Sequence, residues 1–212
     1  MFEQQLHGAP QQIFWQPLVE IIRDHRRPLI AITLISAVFW FQISPALNFM
    51  SKYLQDIHGY TPGQVSTLFI VAGTIAIFGN ILAGRISDVI GRRPTLAAGI
   101  VLNCVAFLAF YNASGLLLPL AWIAALFSFF VVDVIVSAAS GELFPTRCRS
   151  TATTLRSIFS VLAAVVGLSI EGSLYTELGS HAAALSVLTL FSLLALPVVA
   201  LLLRETANTR LQ

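Results

Sequence analysis

Six stretches of the chain, at about 28 to 50, 63 to 83, 94 to 111, 115 to 140, 150 to 171 and 182 to 203, are apolar almost without interruption. Each approaches or exceeds the roughly 20 residues a helix needs to cross a hydrocarbon core about 30 Å thick. Backbone amides in lipid find no water, so each crossing must satisfy its own hydrogen bonds, which admits helices and excludes open strands. The supply of charge agrees. Only 10% of the 212 residues are charged and 57% are hydrophobic, whereas soluble domains carry roughly a quarter charged residues. The expected fold class is an all-α membrane protein: six transmembrane helices form one bundle over residues 28–203, with a linker at 1–27 and a tail at 204–212.

An even number of crossings returns the chain to its starting side, and the arginines say which side that is. With a cytoplasmic N-terminus the inside holds Arg23, Arg26, Arg27, Arg85, Arg92, Arg93, Arg147, Arg149, Arg156, Arg204 and Arg210, and the outside holds Lys52 alone. That asymmetry follows the positive-inside rule, so both termini are expected in the cytoplasm of a plasma or inner membrane. The net charge of +2 is too small to argue for nucleic acid. Cys104 and Cys148 fall in an apolar run and a basic loop, which offers neither a disulfide framework nor a metal site, and no cofactor is implied. The first twenty residues are polar and mixed, unlike a cleavable signal.

Ahead of the first span, QQIFWQPLVEIIRDHRR places Phe14, Trp15, Leu18, Ile21 and Ile22 near helical spacing, with Glu20, Arg23 and Asp24 elsewhere. The pattern suits a short helix lying along the inner membrane face, with Pro17 in its first turn. A partly ordered tail whose arginines anchor the first span would leave the same pattern.

Between the second and third spans lies GRISDVIGRRP, Gly84 to Pro94. Gly84 would let the helix end pass close to a neighbour. Asp88 could accept hydrogen bonds from the amides of a nearby helix start or pair with an arginine. Gly91 permits a left-handed turn, Arg92 and Arg93 hold the loop inside, and Pro94 suits the first turn of the next helix.

This loop resembles the G-x-L-x-D-x-x-G-R-[RK] signature of the major facilitator superfamily of secondary transporters. Two further stretches carry the resemblance. GELFPTRCRST, Gly141 to Thr151, is similar to the E-x-F-P-T-x-x-R loop of the sugar-porter and organic-ion branches. LRETANTRL, Leu203 to Leu211, is similar to their P-E-T-x-x-x-x-L end, with Arg204 in place of proline. The resemblance is to one half: such transporters have two six-helix bundles, and this chain resembles the second bundle plus the interfacial helix before it. It implies two bundles rocking about a central site, in contact with membrane lipid, carrying a small organic solute (an organic ion, metabolite or sugar) with protons. It also implies a need for an N-terminal six-helix half or a second copy of the chain. Inner-loop ion pairs would latch one state, with Gly84, Arg85, Asp88, Gly91, Arg92, Arg93, Glu142, Arg147 and Arg149 as the gating motif. Glu142 is expected to pair with Arg85 or Arg149, and Asp88 to cap or pair near the start of the fifth span.

Within the apolar runs Asp133 stands out, about eight residues from the inner end of the fourth span and so roughly 12 Å deep. A carboxylate at that depth faces a cavity, a partner or a proton path. Asp133 is therefore the first candidate for proton coupling or for binding a cationic solute, against a structural acid hydrogen-bonded to a neighbouring helix. The first span offers Phe39, Trp40, Gln42, Ser44 and Asn48 as amide, hydroxyl and aromatic groups for a small polar solute. The Q-Q-x-S-G-x-N stretch of sugar porters matches at Gln42 and Ser44, but Phe41 stands for the first glutamine, Pro45 for glycine, and Asn48 is one place late. The P-x-P-W run of sugar porters is absent from the fourth span. Trp122 is expected to anchor at the interface, and Asn103 to bond between helices or to serve as a pocket group. Ala72, Ala76, Gly79 and Ala83 on the second span, and Ala163 and Gly167 on the fifth, make small-residue faces for another bundle or for this one. Besides a transporter half, a non-transporting scaffold that keeps the bundle fits the same residues. An intramembrane enzyme does not, because His7, His25, His58 and His181 all lie outside the apolar runs and no nucleophile has a nearby base.

Overall fold

A computed structural model describes residues 16–205. The order is α1 (Gln16–Asp24), α2 (Arg26–His58), α3 (Pro62–Ile90), α4 (Arg92–Asn112), α5 (Leu117–Leu143), α6 (Thr146–Leu178), α7 (His181–Phe191), a 3₁₀ turn (Ser192–Leu194) and α8 (Ala195–Leu201). Helices α2 to α6, with α7 and α8 joined through the turn, give six apolar elements long enough to cross a membrane. This is an integral, multi-pass membrane bundle.

Most helices outrun the apolar stretches that signal them. The hydrogen-bond ladder continues past lipid until a cap stops it: Gly59 and Gly179 close α2 and α6 in the left-handed conformation, at φ 67° and 66°. Helix α3 opens with a reciprocal capping box between Thr61 and Gln64, followed by Pro62 at its first position. The sixth element departs from expectation, since its ladder tightens at Ser192–Leu194 and ends at Leu201.

The core is an aromatic and aliphatic interior shared by α2, α4, α5 and α7, in which Ile43, Phe107, Phe110, Trp122 and Leu188 are fully buried. Trp122 is thus no interfacial anchor. Its ring meets Phe69, Phe107 and Phe110 at centroid separations of 5.4, 6.1 and 5.1 Å, and apolar burial outweighs the pull of its lone N–H toward water. Asn103 does bond between helices, donating to Ser128 Oγ at 3.1 Å and the Ala125 carbonyl at 3.3 Å.

The small-residue faces turn inward. Ala72, Ala76, Gly79 and Ala83 are all buried, and a Cβ added at Gly79 would sit 2.3 Å from the Phe127 ring on α5. Gly167 of α6 meets α2 so closely that a Cβ there would stand 2.0 Å from the Phe41 carbonyl oxygen. That carbonyl is the one Pro45 cannot bond, four residues on, so the proline frees an acceptor where α6 crosses. The outward faces of α3 and α6 carry large apolar side chains instead, among them Ile77, Phe78 and Ile81 on α3 and Val161, Leu162 and Val165 on α6. At the end opposite the arginines, buried Glu171 lies 2.6 Å from His181 Nδ1, and that ring stacks on Phe49 and Tyr175.

Candidate functional site

The loop between α3 and α4 closes a network centred on Arg92, whose side chain is 9% exposed. Its Nη2 donates to Glu142 Oε1 at 2.7 Å and its Nε to Glu142 Oε2 at 3.3 Å, a two-pronged grip from the start of α4 to the end of α5. The same Nη2 lies 2.8 Å from Asp88 Oδ1 at the end of α3, and Nη1 donates to Ser87 Oγ. Glu142 therefore pairs with Arg92, where Arg85 or Arg149 was expected, and Asp88 pairs within its own loop instead of near α6. Arg92 follows Gly91 directly, so the tight turn aims its guanidinium back at both acids.

Gly91 adopts φ 116°, a region closed to most L-residues. A Cβ there would also lie 2.8 Å from a carboxylate oxygen of Glu205. Glu205 accepts from the backbone N–H groups of Arg92 at 2.7 Å and Arg93 at 3.1 Å, placing negative charge on the open N-terminus of α4. Asp88 had been a candidate for such a cap; at the start of α4 the residue returning from the far end of the chain supplies it. Arg93 donates to the Ala200 carbonyl near the end of α8, where the helix dipole favours a cation. Gly84 makes no close approach, since a Cβ there would meet nothing within 4 Å.

Arg147 reaches Glu20 of α1 at 2.9 Å, fastening the amphipathic helix to the start of α6. Ile21 of α1 is buried against the bundle, while Val19 and Ile22 stay exposed on the other side. Phe14 and Trp15 lie outside the described residues. Arg85 is exposed and Arg149 half-buried, and neither has a carboxylate within ion-pair distance among the described residues.

Deeper in, Asp133 stands ten residues before the end of α5 at Leu143, and Arg156 ten residues after the start of α6 at Thr146. Each is thus roughly 15 Å from the arginine-rich end. Arg156 Nη1 lies 3.8 Å from Asp133 Oδ1, and Nη2 donates to Ser137 Oγ at 3.3 Å. Its Nε is buried without a hydrogen-bond partner. The Arg156 side chain is 13% exposed and that of Asp133 38%. Counted by loop among the inner arginines, Arg156 stands ten residues into α6. The signal was available, because a lone cation interrupts an apolar run just as Asp133 does. Glu205 and Glu20 were missed for another reason, as nothing local tells which distant helix end each will meet.

Of the groups on α2, Phe39 is 2% exposed and stacks on Phe129 at 5.8 Å, and Trp40 meets the same ring edge-on. Gln42 is wholly buried with neither amide atom bonded. Asn48 donates to the Ser44 carbonyl at 2.8 Å, within its own helix. Phe39, Gln42 and Ser44 are thus core-facing and Trp40 is half-buried, whereas Asn48 is exposed.

Six apolar helices in one bundle, with a latched charged loop at one end and an ion pair between α5 and α6, define a polytopic membrane fold. The family model of the Major Facilitator Superfamily matches residues 29–212, and the chain belongs to that family. Among curated proteins it is similar to synaptic vesicle glycoprotein 2A of Rattus norvegicus, 34% identical over 122 residues, which cover 54% of this chain and 16% of that protein. The Homo sapiens protein of that name is 33% identical over the same length. Among solved structures, a bacterial homolog of the human lysosomal transporter Spinster, in an inward-facing and unoccupied conformation, superposes with a TM-score of 0.59 at 12% identity. That match covers 92% of this chain and 50% of the other, a likeness of fold.

Proposed function

We propose that the chain is one six-helix half of a secondary active transporter, moving a small organic solute by alternating access with proton coupling. The carrying observation is the Asp133–Arg156 pair, 3.8 Å apart, each ten residues from the arginine-rich end of its helix and with Arg156 Nε unbonded. Intramembrane charges are costly and mark solute or proton pathways. Family membership supports the reading, and so does the match to half of a neighbour named as a transporter. The missing wall is then an N-terminal six-helix bundle or a second copy.

In this reading the arginine-rich end faces the cytoplasm. Arg92 holds α3, α4 and α5 together as one rigid wall, while exposed Asp88 is the group most cheaply exchanged when the wall swings. Asp133 takes and releases the coupled proton, and Arg156 orients the solute beside it. Of the remaining polar groups of α2, Asn48 is exposed, and buried Gln42 and Ser44 would serve a solute only if the bundle opens on that face.

The test is reconstitution of the bundle with its six-helix companion into vesicles under an inward proton gradient. A panel of radiolabelled organic cations, organic anions and sugars is then offered. Gradient-dependent accumulation of one class, lost in Asp133→Asn, is the expected result. Failure of every class with every companion, including a second copy, would sink the carrier reading and leave a scaffold.

A further inference from the structure

At the arginine-rich end a cavity of about 800 Å³ opens between the elbow joining α1 to α2, the end of α5 and the end of α8. Arg26, Arg27 and Arg204 line it, and no carboxylate lies within ion-pair distance of them among the described residues. Its one acid, Asp24, stands 3.5 Å from the fourth arginine, Arg23, and offsets that charge. Three uncompensated guanidinium groups therefore converge on one hollow. The His25 ring packs edge-on against Phe144, 6.1 Å between centroids, holding the elbow in place.

The rest of the lining is apolar: Leu143, Leu201 and Leu202, with Leu201 81% exposed. These are the places where the spans begin and end. Helix α2 starts at Arg26, α5 stops at Leu143 and α8 stops at Leu201. A hollow that is cationic on one wall and apolar on the other, at the level where apolar helices terminate, suits a ligand with an anionic head and a hydrocarbon body. The chain itself has little to offer: residues 1–15 and 206–212 carry one acidic side chain between them, Glu3.

We infer that this cavity binds the phosphate headgroup of an anionic phospholipid, with the glycerol and upper acyl chain along the leucines. Guanidinium forks match phosphate oxygens two at a time, which ammonium groups cannot do. Basic pockets at a membrane boundary draw anionic lipid with a strength that grows with each arginine, by about fivefold apiece. Bound there, the lipid bridges the two ends of the bundle, α1–α2 and α8, without touching Arg92 or the Asp133–Arg156 pair.

Native mass spectrometry of the full chain, released from nanodiscs that mix phosphatidylcholine and phosphatidylglycerol, tests the inference. The expected result is one phosphatidylglycerol retained in preference to phosphatidylcholine. Retention should fall at least tenfold in the triple variant Arg26→Gln, Arg27→Gln, Arg204→Gln, and only partly in the matching lysine triple. Should the triple variant fail to fold, Arg204→Gln alone carries the test, with a loss of about fivefold. Equal retention of both lipids by the wild-type chain overturns the inference, as does undiminished retention in Arg204→Gln. Displacement of the lipid by millimolar inorganic phosphate would point to a free-phosphate site and overturn the lipid. None of these readings involves transport, so the result stands apart from the fate of the carrier reading.

Discussion

Arg92 and Arg156 are the same side chain at similar burial, 9% and 13% exposed, and their surroundings are opposite. Arg92 has two carboxylates and a serine hydroxyl within hydrogen-bond reach. Arg156 has one hydroxyl at 3.3 Å, one carboxylate oxygen at 3.8 Å and an Nε with nothing. A buried guanidinium that spends its donors on protein holds structure. One that keeps them unspent costs stability and is poised for an acceptor arriving from elsewhere. The difference separates a side chain that holds structure from one with donors to spare better than position along the chain does.

Arg92→Gln removes the nearly buried cation shared by Glu142 and Asp88, so unfolding in graded denaturant should show a loss of about 3 kcal/mol. Gly91→Ala forces a side chain into a positive-φ turn and against Glu205, with an expected loss of about 2 kcal/mol in the same assay. It should also raise amide hydrogen exchange at the start of α4, where the Glu205 cap is displaced. Asp88→Asn touches a carboxylate that is 62% exposed, and screening there holds the loss to about 0.5 kcal/mol. Arg156→Gln should leave stability within about 0.5 kcal/mol of wild type, because it gives up few bonds and relieves an unsatisfied donor. A loss for Arg156→Gln as large as that for Arg92→Gln would erase the distinction.

Much of the bundle could be read from the amino acids because hydrophobic runs of spanning length leave the backbone a single choice. Gly91 was legible for a similar reason, since a glycine ahead of Arg-Arg-Pro signals both a turn and a helix start. Gly84 shows the limit: the residue type alone does not say whether a neighbour stands nearby, and among the described residues none does. The helix cap on α4 was beyond reach because its acceptor, Glu205, is 113 residues from the amide of Arg92, and only packing brings the tail back. The pairing of Arg156 with Asp133 was beyond a rule that counts arginines by loop, which says nothing of a cation about three turns inside its own helix. Trp122 was misplaced by another general tendency, that of tryptophan for interfaces, which gave way to three aromatic neighbours.

The most direct test of the central claim is proton-driven solute uptake by Arg156→Gln, reconstituted with its companion bundle at protein levels and melting temperature matched to wild type. The account predicts at least a tenfold fall in uptake with the fold intact. Wild-type uptake in that variant would contradict it, and would return Arg156 to the ranks of the arginines that merely set topology.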